Sequence, residues 1–389
     1  RLILPFDPPR TAGGHPRLLL ALLAALLLAV GAVAVVRFLS PEPAAGKALP
    51  PRPPLVVVED LPRLSQRLAR SRFSGAVLVA RGDTVIFRQA YGRSEDRPLA
   101  LDDRFRLASV SKQFTAAAIL KLQDEGRLSV DDPLCKWVHP CPEAWAPIRL
   151  HHLLSHTSGV PDLMSQANWG QRRIRPTTPE QLTAASAMYR LQFQPGTKVR
   201  YDNAGFNLLG VVIERASGMA FADYLRTALF EPLGMIDTGY DDGADHDIIM
   251  GYANLAGGLT PQPQANPSVV FAAGGLYSTL DDMLVWERAL HGGRLLSAES
   301  YADMIRDHAP ADAGPERGRP RRDWGYGLFA NRLGTRVTPG FDERQIYHTG
   351  SWSGFRNLVT YQPDADVTVI VLSNNFHQTA EVFLISQQA

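Results

Sequence analysis

Two strand-rich stretches stand near opposite ends of this chain, and both read as hairpins. Toward the front, 73-FSGAVLVARGDTVIFRQAYG-92 holds two apolar runs separated by Arg81, Gly82 and Asp83. Toward the end, 355-FRNLVTY-361 and 367-VTVIVLSN-374 flank Gln362-Pro363-Asp364-Ala365-Asp366, residue types that favour a turn. The chain between them reads mainly as helix, over 109–126, 179–190, 203–217, 220–229 and 280–290, and a last helix covers 378–388. Gly126, Gly218 and Gly292 supply the stops, because glycine readily takes the conformation that ends a helix. Apolar hairpins cannot stay unpaired, so the two remote pairs predict one antiparallel sheet formed from both termini. The expected fold is α/β in the broad sense (α+β): that sheet, flanked by helices, with an inserted mainly helical region. The segments 241–270 and 309–322 read as surface loops. With 389 residues, 45% of them hydrophobic, the chain has ample material for a large core.

Ahead of the first hairpin, 18-LLLALLAALLLAVGAVAVV-36 is an unbroken apolar run between Arg17 and Arg37, about long enough to cross a bilayer. Arg1, Arg10 and Arg17 against the single Asp7 predict a cytoplasmic front end and a large domain on the far side. Ala32 and Ala34 offer a small-x-small cleavage site, but the length of the run favours a retained anchor over a cleaved signal. The expected organisation is a cytoplasmic segment 1–17, a transmembrane signal-anchor 18–36, a Pro/Ala-rich tether 37–57 and a folded domain 58–389. That domain should open on a short helix with Leu61, Leu64 and Leu68 on one side.

An exported domain meets an oxidising compartment, so the only two cysteines, Cys135 and Cys141, are expected to pair. With His139 they fall short of the usual four zinc ligands. The 40 basic and 39 acidic side chains leave a formal charge of +1, which gives no bulk signal for a nucleic-acid partner. The basic run 317-RGRPRR-322 reads as a solvated loop.

The chemistry-bearing residues form three groups. In 109-SVSK-112, Lys112 follows Ser109 by three positions, so on a helix both share one face within a turn. A free lysine holds its proton up to about pH 10.4, but burial lowers that value and lets the amine act as a base. A helix start also leaves backbone N–H groups for a developing oxyanion. Taken alone, the pair also fits a helix cap beside a solvated lysine. In 201-YDN-203, alternation about Asp202 sends Tyr201 and Asn203 the same way, toward a shared proton and a shared amide contact, or else toward local packing and a helix cap. In 347-YHTGSWSGFRNLVTY-361, His348 and the small Gly350 and Gly354 sit at the start of a strand pattern, where a backbone edge can meet a ligand. Ser351 N–H is a candidate second oxyanion donor beside that of Ser109.

Together these groups resemble the serine β-lactamase and penicillin-binding protein superfamily, in particular its class C-like branch, over about residues 58–389. The S-x-x-K, Y-x-N and K/H-T-G elements of that family match 109-SVSK-112, 201-YDN-203 and 348-HTG-350. Further family-like stretches are 151-HHLLSHTSGVPD-162, 204-AGFNLLG-210 and 272-AAGGLYSTLDDM-283. The resemblance implies a serine hydrolase acting through a Ser109 acyl-enzyme, with Lys112 and Tyr201 as the proton-handling pair. His348 and Ser351 would complete the catalytic set, and Asn203, Thr349 and Gly350 would touch substrate. It implies a small-molecule or peptide substrate, no cofactor, no metal and a place on the bacterial inner membrane facing outward; it fixes no oligomeric state. His348 stands where class C β-lactamases carry lysine, which favours an ester or a peptide over a β-lactam. A carboxypeptidase of D-amino-acid peptides and a penicillin-binding sensor without turnover are the alternatives. His151, His152 and His156 lack an H-E-x-x-H pattern and are expected in core or capping roles. Trp324, Tyr326 and Trp352 are aromatic candidates for the cleft or the core.

Overall fold

The structure, a computed structural model, describes residues 61–255, 258–262, 265–313, 322–331 and 343–389. The expected cytoplasmic segment, anchor and tether lie outside the described residues, as does most of the expected loop 309–322. Six strands form the main sheet: β1 Gly75–Arg81, β2 Thr84–Tyr91, β3 Phe329–Asn331, β4 Gln345–Trp352, β5 Phe355–Gln362 and β6 Val367–Ser373. Their spatial order is β3-β4-β5-β6-β1-β2, and every neighbouring pair is antiparallel. The first and last of these strands in sequence pair inside the sheet, Gly75 with Ser373 and Arg81 with Val367.

The central strands are almost wholly apolar because both faces of the sheet are covered. Ala76, Leu78, Ala80, Ile370 and Leu372 face the larger core. The alternate residues Val77, Val79, Val369 and Val371 face a smaller one. The smaller core holds Leu64 and Leu68 of helix α1 (Pro62–Arg70) and Val382, Phe383 and Ile385 near the C-terminus. The larger core is built around α2 (Ser111–Asp124), which is buried at every position from Ser111 to Leu120. Around it lie α3 (Pro179–Ala187), α4 (Ala204–Ser217), the short α5 (Phe271–Gly274) and α6 (Leu280–His291), and α7 (Thr379–Gln388) closes the far face. Phe114 of α2 stacks on Trp286 of α6 at 3.9 Å between ring centroids, and the Trp286 indole N–H donates to Gln113.

Helix ends follow local chemistry. Thr178 and Gln181 make a reciprocal capping box at the start of α3, and Gly218 takes a left-handed φ of 72° just past α4. Cys135 and Cys141 are joined by a disulfide, as an exported chain predicts.

Two expectations need correction. The segment 241–270 is more than surface loop: Tyr252–Leu255 and Gly258–Pro261 pair as a hairpin, and Tyr252, Ala253, Ala265, Val269 and Val270 are buried. Its strands are only four residues long, too short for alternation to stand out. The motif His348-Thr349-Gly350 lies within the body of β4, not at the start of a strand, because the pairing with β5 begins at Ile346.

Candidate active site

Ser109 sits in a tight turn, Ala108–Val110, that runs straight into α2. Ala108 takes a φ of 52°, a conformation that costs a non-glycine residue roughly 1–3 kcal/mol and persists only when the surroundings enforce it. Here the enforcement comes from three sides. Gly350 of β4 lies so close that a Cβ on it would come within 2.2 Å of the Leu107 carbonyl. Gly274 packs against the Ala108 backbone, and the Leu107 N–H donates to Leu276 O at 2.8 Å. Asn357 on β5 adds hydrogen bonds to the Arg106 and Leu107 carbonyls. The turn bearing the hydroxyl is thus gripped by strand and glycine-rich segment together.

Lys112 is completely buried, so the reading of a solvated lysine fails. Its Nζ donates to Ser109 Oγ at 3.3 Å, to Asn203 Oδ1 at 2.7 Å and to the Ala273 carbonyl at 2.7 Å. Burial pulls its pKa down to about 7, against the opposing charges of Asp162 and Asp202. The Ala273 carbonyl is presented by α5, which Thr115 and Asn207 hold through Ala272 O and Ala273 N.

Tyr201 and Asn203 approach from the chain entering α4, one on each side of Asp202, as alternation predicts. The Tyr201 phenol faces Ser109, and its ring lies 4.9 Å from Lys112 Nζ. Burial pushes the phenol well above its ordinary pKa, the nearby Ser109 acting the other way. His156 stacks behind the Tyr201 ring at 4.5 Å and accepts the Asp202 N–H on Nδ1. Asp202 is itself buried, which lifts its carboxyl to about 7 while the Gly205 N–H favours the anion. Asn203 occupies the N-cap of α4 without a capping bond from its side chain. Instead its amide bridges Lys112 and Asp162.

The opposite wall is β4. His348 is buried, and a carbonyl only accepts, so its Nδ1–H donates to Thr349 O at 2.7 Å. Burial first, and the neighbouring Lys112 next, hold its pKa well below the ordinary histidine value; the ring is neutral at pH 7. Ser109, Lys198, Arg200, Tyr201, Asn203, Arg322, His348, Thr349, Ser351 and Trp352 all line one cleft of about 710 Å³. Gly350 does not line it; it faces the Leu107 carbonyl. Of the aromatic candidates, Trp352 reaches the cleft. Trp324 and Tyr326 are buried beside it, the first against Tyr201 and His156 and the second stacked on His308. His152 accepts the Arg149 N–H at a helix start, and His156 packs in the core.

Sequence reasoning missed Asp162, the Ala273 carbonyl and Arg322. Asp162 and Ala273 fall in stretches noted only as family-like, and Arg322 closes a basic run read as loop. Arg322 lies 4.4 Å over the Phe329 ring and 4.8 Å over Trp324.

A beta-lactamase family model matches residues 62–386. The chain belongs to that family. Penicillin-binding protein 4* of Bacillus subtilis is 29% identical over 329 residues, covering 80% of this chain and 70% of the relative. Esterase EstB of Burkholderia gladioli is 29% identical over 356 residues, covering 80% of this chain and 89% of the relative. The crystal structure of a penicillin binding protein from Bacillus halodurans superimposes with a TM-score of 0.71 at 26% identity, covering 85% of this chain and 98% of that one. Family and fold together establish a serine hydrolase of the beta-lactamase superfamily, with chemistry on ester or amide carbonyls. A small-molecule or peptide substrate is consistent with that family.

Proposed function

We propose that Ser109 is the nucleophile of an acyl-transfer reaction, with Lys112 and Tyr201 handling its proton. The observation that carries this reading is the meeting of a buried amine and a half-buried tyrosine at one hydroxyl: Lys112 Nζ stands 3.3 Å from Ser109 Oγ, and the Tyr201 phenol faces the same group. An amine with a pKa near 7 is partly neutral at physiological pH, where it can accept a proton. The phenol, pushed upward, stays protonated and serves as a relay, not as a resident base. Ser109 Oγ attacks the carbonyl carbon as its proton passes to Lys112, directly or through Tyr201. The carbonyl oxygen becomes an oxyanion that the N–H groups of Ser109 and Ser351 would hold, an arrangement worth a few kcal/mol in the transition state. The proton then moves to the leaving group, the C–O or C–N bond breaks, and an acyl-enzyme remains. Water, deprotonated by the same pair, attacks the ester and releases the acid.

His348 is neutral and supplies no cation where class C β-lactamases place lysine, so an ester or peptide carbonyl suits the site better than a β-lactam. A second reading, a carboxypeptidase of D-amino-acid peptides, is favoured by Lys198, Arg200 and Arg322, three basic side chains in the cleft lining that match a substrate carboxylate. Residues 18–36 are proposed as the single membrane-spanning anchor, with the hydrolase domain outside the cytoplasm. The Cys135–Cys141 disulfide and the penicillin-binding relatives agree with an extracytoplasmic domain.

The decisive experiment is covalent labelling. A fluorophosphonate or a labelled penicillin is expected to add one adduct per chain at Ser109, and S109A to abolish it; label that persists in S109A discards the nucleophile. Turnover of short p-nitrophenyl esters against D-Ala-D-Ala peptides and a cephalosporin then separates the two substrate readings.

A further inference from the structure

We propose that Asp162 is a positioning residue for this site: it fixes the Asn203 amide with its oxygen, not its nitrogen, toward Lys112. The inference rests on the reading of Ser109 as nucleophile and Lys112 as base, and it concerns a residue outside the three motifs.

A carboxamide has two ends of nearly equal shape and opposite hydrogen-bonding character. Turned one way, Asn203 offers Lys112 an acceptor; turned the other way, it would aim an NH₂ at an amine. Lys112 alone does not secure the choice, because an amine that has lost its proton gains a lone pair and tolerates a donor. Asp162 does secure it. Its Oδ2 accepts Asn203 Nδ2 at 3.0 Å, while Asn203 Oδ1 accepts Lys112 Nζ at 2.7 Å. A carboxylate only accepts, so the amide has one permitted orientation. Asp162 is held in its turn: its Oδ1 accepts the Met164 N–H at 3.1 Å in the tight turn Leu163–Ser165. Met164 Sδ, 3.3 Å from the same Asn203 nitrogen, is a second acceptor on that side. The chain of contacts runs from a backbone turn through a carboxylate and an amide to the amine beside Ser109.

Asp162 also acts through its charge. The titratable groups facing the Lys112–Ser109 centre are Asp162 from the loop after residue 160, Asp202 and Tyr201 from the entry to α4, and His348 from β4; Arg322 acts in turn on Tyr201 and His348. Asp162 and Asp202 favour protonated Lys112. Removing the Asp162 charge makes Lys112 shed its proton more readily, which displaces the acid limb of kcat/KM to lower pH.

Two variants separate orientation from charge. In D162A the amide loses its guide and the amine its neighbouring anion. kcat is expected to fall about tenfold to a hundredfold, as misplacement of reacting groups costs, with KM within about twofold and the acid limb displaced downward. In D162N an oxygen acceptor for Asn203 remains without charge, so kcat returns to within about threefold of the wild type while the acid limb stays displaced. Wild-type kcat in D162A overturns the positioning role, and so does a loss in both variants with an unmoved acid limb. If D162A does not fold, D162L, which removes both acceptor oxygens at similar side-chain volume, takes its place: a fall in kcat that D162N does not share supports the positioning role, and wild-type kcat overturns it. Fluorophosphonate labelling of the wild type runs in parallel. Absence of label on Ser109 defeats the underlying reading, whereas normal label with unchanged D162A and D162N kinetics defeats only the role given to Asp162.

Discussion

An amine enclosed by protein loses its proton more easily than one in water, and Lys112 is enclosed on every side. Activity that needs the neutral amine should therefore fall as pH drops through about 7, where Lys112 takes up its proton. The expected kcat/KM profile has an acid limb in that region, and a flat profile from pH 5 to 8 (about two units below to one above that value) would deny Lys112 the role of base. Replacing the phenol tests its partner: Y201F keeps the ring against His156 but removes the relay, and kcat should fall by roughly 10²–10⁴ with label still reaching Ser109 slowly. At this scale much was legible. Period and alternation put Ser109 with Lys112, and Tyr201 with Asn203, on shared faces, and the resemblance to the family joined the two pairs into one site. Asp162 was not, because its role arises from a turn more than forty residues before Asn203, a proximity that no local pattern encodes.

Among the elements, β4 and the turn before α2 meet through a missing side chain. A methyl on Gly350 would sit 2.2 Å from the Leu107 carbonyl, and the obstacle is backbone that cannot rotate away. G350A should therefore lift β4 off the turn and separate Ser351 from Ser109. The expected result is a loss of about 1–3 kcal/mol in stability and a larger loss of kcat than of labelling, measured by denaturant unfolding beside steady-state kinetics. Sequence reading assigned Gly350 to substrate contact, whereas it packs against the turn; the strand position was legible, the neighbour across from it was not. The hairpins and the main helices lie within a few residues of expectation, α2 among them, read from an apolar run that stops at Gly126. The strand Phe329–Asn331 escaped, being too short, and Gln345–Trp352 was legible only as the start of a strand pattern, its apolar alternation interrupted by His348, Thr349, Gly350 and Ser351.

For the whole molecule, the covalent link Cys135–Cys141 closes a loop with a sequence separation of 6. Loop entropy assigns so small a ring about 2 kcal/mol. The double variant C135S/C141S should lose that stability in a denaturant titration and keep wild-type kcat, because neither cysteine lines the cleft. The α+β architecture itself was legible from the hairpins at the two ends, since two apolar pairs far apart in sequence have one economical way to be covered. What remained hidden was the order of the sheet, β3-β4-β5-β6-β1-β2, which depends on tertiary packing.

That order has a temporal meaning. The first hairpin finds its neighbour in β6, and the wall facing Ser109 is β4, so both arrive only long after the segment bearing Ser109 has been made. While it is being synthesised, the nascent polypeptide carries its serine, lysine and tyrosine without the surface that completes them. On the proposed mechanism its reactivity would wait until β4 emerges, and a product truncated before residue 345 would be a silent chain.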